Sequence, residues 1–231
     1  EIPLRLVGSE MCIRDRPYDP DGFAPIGMVG IGPLVLLSSP KRPFNSTQDI
    51  VAYAKQNPGK LTFATFGAGT SSHLAGELFK ERAGIDILHV PFKGATQALP
   101  ALISGDVDLF FDMVATGMPQ AEAGKAKVFG ITSATRLATE PNLATLAEQG
   151  YPAFDMTAWF SFVAPKGTPA PVLDKLQTAL AETLKDEAVR KRLLDMGIDP
   201  RSGTAAELDK QVKTEQPIVS QLIKHANIVL Q

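Results

Sequence analysis

The chain has 231 residues, a formal net charge of −2 and 44% hydrophobic against 21% charged residues, which excludes a disordered or fibrous protein. Near-neutral charge argues against nucleic acid or a membrane surface as partner, no apolar run approaches the roughly 18 residues of a spanning helix, and the single cysteine, Cys12, excludes an intramolecular disulfide framework and a cysteine-based zinc site. The length corresponds to roughly one and a half typical domains, too long for one unit and too short for two.

Residues 1–16 show neither strand alternation nor a helical stripe, and they lack the apolar core and cleavage site of a signal peptide. Residues 6–16 resemble a translated transposase-type sequencing adapter, so residues 1–16 are expected to be foreign to the native protein. Cys12 then says nothing about redox compartment. From Tyr18 onward, short apolar strands alternate with amphipathic helices, the pattern of an α/β protein with largely parallel sheets. Pro33 to Leu37 reads as a buried strand. Ser46-Thr47-Gln48-Asp49 opens a helix as a capping box, and Asn57-Pro58-Gly59 stops it.

A strand at Leu61 to Phe66 runs into Gly67-Ala68-Gly69-Thr70-Ser71-Ser72 and a helix carrying Leu74/Leu78 and Ala75/Phe79 pairs. Ile87 to Val90 is the next strand, ending at Pro91-Phe92-Lys93-Gly94, and the helix after it is expected to bury the pairs Ala98/Leu102 and Leu99/Ile103. Gly105 closes that helix, and a strand at Val107 to Phe111 ends at Asp112. A helical end at Gln120 to Lys125 leads to a strand at Val128 to Ile131. Residues 141–153 form a loop, and a strand follows at Trp159 to Val163. The remainder reads as helical. Val172, Leu176, Leu180 and Leu184 share one face, and Thr204 with Glu207 forms a capping box before a long final helix.

The segment Gly67, Gly69, Thr70, Ser71, Ser72 carries the strongest functional signal. Glycines allow a tight turn, and hydroxyls sit where a helix begins. Free N–H groups and the positive end of the helix dipole there favour an anion such as a carboxylate. The ordinary role of such hydroxyls is N-capping, which stands as the alternative. No lysine follows the glycines as in a Walker loop, and the dinucleotide fingerprint is incomplete.

Lys93 and Gly94 lie at a second strand-to-helix turn of the same kind, and ligands of open α/β sheets lie beyond the carboxyl ends of strands. A turn lysine is more often simply solvated. Asp112 ends a strand where it could accept from a ligand or cap the next turn. His73, His89 and His225 have no metal-ligand spacing with a carboxylate, and His73 reads as a core or capping residue bordering the cleft. No G-x-S-x-G elbow exists. Trp159 reads as core. The residues therefore favour binding over catalysis, with no cofactor and no metal.

Taken in order, Phe23-Ala24-Pro25, Lys60 to Ala64, Gly67-x-Gly69-Thr70-Ser71-Ser72-His73-Leu74-Ala75-Gly76-Glu77-Leu78-Phe79, His89 to Gly94, Gly105 to Asp112, Glu148 to Pro152 and Ala164-Pro165-x-Gly167-Thr168-Pro169 resemble the Bug-type substrate-binding proteins of bacterial tripartite tricarboxylate transporters. The resemblance covers about residues 17–231. It implies a type II periplasmic binding protein fold (a Venus flytrap), in which two α/β domains close on a small carboxylated ligand, an organic acid or amino acid. The ligand is delivered to a membrane permease. It also implies a periplasmic location, no enzymatic activity and a monomer when full length. By analogy residues 17–37 and 157–231 belong to a first domain whose start is missing, and residues 38–156 form the second domain. The fragment is accordingly expected to bind its ligand poorly. Two other classes fit the residues less well. One is a ligand-sensing domain of a regulator, which requires a DNA-binding segment upstream. The other is a small transferase or hydrolase, which requires a base beside Thr70 to Ser72.

Overall fold

The computed structural model describes residues 5–7, 22–226 and 228. Cys12, Tyr18 and most of the segment expected to be foreign lie outside them. The chain divides into two compact units, one built chiefly from residues 1–32 and 158–225 and the other chiefly from residues 33–157.

In the second unit a five-strand sheet forms in the order β6–β2–β5–β3–β4. Its strands are the carboxyl half of β2 (Phe23–Ser38), β3 (Thr62–Thr65), β4 (Leu88–Pro91), β5 (Leu109–Met113) and β6 (Lys127–Ile131). β3 pairs in parallel with both β4 and β5, the arrangement expected of strand–helix–strand units. β2 runs antiparallel to β5 and to β6, so the sheet is mixed rather than largely parallel. Leu34, Val35, Leu36 and Leu37, on an interior strand between β6 and β5, are completely buried.

Helices α1 (Thr47–Gln56), α2 (Ser71–Ala83), α3 (Ala95–Ser104) and α4 (Val114–Glu122) belong to this unit. The Asp49 N–H donates to Ser46 Oγ, the capping bond expected at the start of α1. Leu74, Leu78, Ala75 and Phe79 are all buried, as are Ala98 and Leu102 of α3, whereas Leu99 and Ile103, expected to be buried with them, are only half-buried. Gly76 is required by contact rather than by φ. A Cβ there would lie 2.1 Å from the Phe63 ring, so α2 approaches β3 closely at that point. This approach places His73 and Glu77 of α2 over the β3–β4 edge.

The first unit contains β1 (Arg5–Val7), the amino half of β2, β7 (Thr157–Pro165) and β8 (Asp199–Gly203), with helices α5 (Ala170–Thr183), α6 (Glu187–Asp195) and α7 (Ala205–His225). Its described pairings, β1 with β7 and β2 with β8, are antiparallel. The strand at Arg5–Val7 corrects the expectation of no regular element within residues 1–16; it pairs through backbone groups, which no side-chain pattern announces. Trp159 packs with Ile31, Val163 and Leu208, while its Nε1 donates to Glu215 Oε2 at 2.8 Å. The capping box is made as expected, with the Thr204 N–H donating to Glu207 Oε2 and the Glu207 N–H to Thr204 Oγ1. α5 forms where its apolar spacing placed a helix, yet none of its residues is buried.

Candidate ligand site at the glycine-rich turns

After Thr65 the chain turns through Gly67 (φ 135°) and Gly69 (φ 75°) before α2 begins at Ser71. Both φ values lie where a Cβ is strained, so the turn depends on its glycines. Thr70 is the N-cap residue but makes no side-chain capping bond. Its Oγ1 donates instead to Gly67 O at 2.8 Å, which tightens the turn. The Leu74 N–H donates to Thr70 O at 2.9 Å, but the N–H groups ahead of it in the first turn have no acceptors within the helix and the Thr70 hydroxyl does not cap them. A partial positive charge therefore gathers at this helix end.

The neighbouring parallel strand repeats the arrangement. β4 leads through Phe92 and Lys93 to Gly94 (φ 100°), the N-cap of α3, again without a side-chain cap. The Phe92 N–H donates to Thr65 O at 3.1 Å, which holds the two turns side by side. Gly67, Ala68, Phe92 and Lys93 line one cavity of about 660 Å³. Lys93 is exposed.

The other expected site residues sit beneath this surface. Ser72 is fully buried, and its Oγ donates to Phe111 O at 2.6 Å, tying α2 to β5. Ser71 is buried and Thr70 half-buried. Asp112 is completely buried within β5 rather than exposed at its end. The Met113 N–H donates to its Oδ1, while Oδ2 is buried without a hydrogen-bond partner. Burial pushes the Asp112 carboxyl up to about 7, and the nearby Thr116 hydroxyl and the Met113 N–H offset only part of that rise.

His73, expected as a core or capping residue bordering the cleft, is buried below the turn, in a cluster with His89 and Glu77 that the sequence did not announce. His73, 4% exposed, accepts the Gly69 N–H on Nδ1 at 3.0 Å. Its ring stacks on that of His89 with centroids 3.7 Å apart and planes inclined by 14°. His89 Nε2 lies 2.7 Å from Thr65 Oγ1, and the Gly67 N–H donates to that same oxygen. Glu77 Oε1 lies 3.7 Å from His73 Nε2, and Lys80 Nζ donates to Glu77 at 3.0 Å. Burial pushes the Glu77 carboxyl up, but His73 and Lys80 outweigh it and hold the group below its ordinary range. His89 is pushed down to about 4, chiefly by burial and then by the His73 charge. The i, i+4 spacing of His73 and Glu77 was visible; the crossing of His89 from the next strand was not. Among the described residues no group of three His, Cys, Asp or Glu side chains could hold a metal ion.

Comparison with known proteins matches this architecture. R. palustris Rpa4515, solved with adipate, superposes with a TM-score of 0.87 at 29% identity over 97% of this chain and 77% of its own. The periplasmic binding protein BugD gives a TM-score of 0.83 at 32% identity over 99% of this chain and 79% of its own. The fold is therefore that of the periplasmic binding proteins.

The tripartite tricarboxylate transporter family receptor model matches residues 12–228, and the chain belongs to that family. A UPF0065 protein of Bordetella pertussis is 32% identical over 213 residues, covering 90% of this chain. The chain spans 66% of that relative's length. The family is one of solute-binding receptors.

Proposed function

We propose that this chain is part of an extracytoplasmic receptor that captures a small carboxylated ligand for the permease of a tripartite transporter, without chemical conversion. The observation that carries this reading is the pairing of two helix N-termini, α2 and α3, that follow adjacent parallel strands through glycine turns and lack side-chain caps. Together they offer a carboxylate two sets of backbone donors without a formal cation. Lys93 adds a charge at the rim of the same cavity. Gly67, Thr70 and Gly94, all half-buried, form the proposed contact surface, with Gly69, Ser71, Ser72 and Asp112 as its buried support. In R. palustris Rpa4515 the bound molecule is a dicarboxylate, adipate. We extend a dicarboxylate of that kind to this receptor.

The hydroxyls of Thr70 and Ser72 donate to main-chain carbonyls, and His73 Nδ1 takes the Gly69 N–H. These bonds favour a binding turn over a nucleophile with its base. Calorimetry with adipate tests the reading. The 231-residue chain is expected to bind weakly, with a dissociation constant on the order of 1 mM. Thr70→Ala combined with Ser71→Ala is expected to weaken binding about fivefold to tenfold, the value of one or two neutral hydrogen bonds. An unchanged affinity in the double variant would remove both residues from the site.

A further inference from the structure

Two stacked imidazoles lie under the turn, and each holds one of its two glycines. His73 Nδ1 accepts directly from the Gly69 N–H. His89 Nε2 meets the Thr65 hydroxyl, which accepts the Gly67 N–H. Only a ring nitrogen without a proton can accept, so the Gly69 bond defines His73 as the tautomer carrying hydrogen on Nε2. That nitrogen faces Glu77 Oε1.

We propose that His73 is a positioning residue that holds the Gly67–Thr70 turn in its working conformation through the Gly69 N–H, with the stacked His89 bracing it through Thr65. The claim rests on the turn being the ligand site only for its effect on affinity; the positioning itself concerns the backbone. A second proton on His73 would occupy Nδ1 and turn it from acceptor to donor, facing the Gly69 N–H. The Gly69 amide is then released and the turn loosens.

The charged and titratable groups around the pair come from three segments. Glu77 and Lys80 belong to α2, Asp86 and His89 lie before and on β4, and Lys93 follows it, all lining the cavity over the pair. Glu77 Oε1 lies 3.7 Å from His73 Nε2 at the ring edge, and the His89 ring covers the His73 face with centroids 3.7 Å apart. The Gly76 approach to Phe63 fixes the height of His73 above β3, with Phe63 and His89 centroids 5.2 Å apart.

The test is amide NMR on the 231-residue chain and its variants, read at Gly69. In the unmodified chain the Gly69 resonance is expected to move as the histidine rings are protonated. His73→Asn, which keeps an acceptor near the Nδ1 position, should retain protection of the Gly69 amide but lose its pH dependence. His73→Ala should raise Gly69 hydrogen exchange on the order of tenfold or more. A Gly69 amide indifferent to His73→Ala, or one that still titrates in His73→Asn, would overturn the assignment. Should the alanine variant not fold, the unmodified and asparagine titrations decide the matter alone. Adipate added to the same samples reports separately on the ligand reading. If Gly69 behaves as described but adipate shifts no amide of the turn, positioning stands and the ligand reading fails. If adipate shifts the turn equally in all three proteins, the ligand reading stands and His73 has no part in it.

Discussion

Asp112 sets the stability balance at the level of single residues. Its carboxyl is pushed up from an ordinary 3.8 to about 7 by burial, so the folded protein holds a proton that the unfolded chain has released. Stability contributed at this site is therefore full below about pH 4 and falls as pH rises towards 7. A rise of that size corresponds to about 4 kcal/mol at most, and an amide left with unpaired hydrogens returns about 2 of that. Asp112→Asn is thus expected to raise stability by about 2 kcal/mol at pH 8 and to lose that advantage at pH 4, measured by urea unfolding. Equal effects at both pH values would show that folding does not raise the Asp112 carboxyl above its unfolded value. Gly76 makes the opposite case. A Cβ 2.1 Å from the Phe63 ring forces α2 off the sheet, and Gly76→Ala should cost about 3 kcal/mol. Thr70 and Ser71 were legible as a hydroxyl turn, but only coordinates distinguish Thr70, bonded to Gly67 O, from a capping residue. Asp112 was readable as a strand residue; its complete burial was not, because no local pattern reports which strand is central.

Elements with a strong period were the ones sequence located. The Ser46 and Thr204 caps, the buried Ala98/Leu102 pair and the strand–glycine–helix unit at Gly67 all form near their expected positions. β2 extends from Phe23 to Ser38, whereas only Pro33 to Leu37 was expected. Gly27 and Gly30 mark close approach of β8: a Cβ would lie 2.6 Å from Gly203 O and 2.5 Å from Asp199 O. β8 itself, Asp-Pro-Arg-Ser-Gly, has no strand composition and owes its conformation to that pairing. Gly30→Ala should therefore abolish hydrogen-exchange protection in β8 while leaving β5 protected; loss in both strands would mean that the two units unfold together. α5 and α6 bury no residue, so their amides should exchange before those of α2, which is buried from Ser71 to Phe79.

For the molecule as a whole, the formal charge is −2 and the chain belongs to a receptor family. The chain divides into two units and spans 66% of a relative's length. Family and fold were legible because many weak segments occur in one order; the histidine support of the turn was not, because His73 and His89 meet only after α2 folds over β4. We propose that the glycine turns of the second unit hold a carboxylate. The most direct test compares adipate with its uncharged diamide by amide chemical-shift mapping of the 231-residue chain. Adipate should shift the amides from Gly67 to Ser72 and of Gly94, and the diamide should leave them in place. Equal shifts from both compounds, or adipate shifts confined to other residues, would contradict the account.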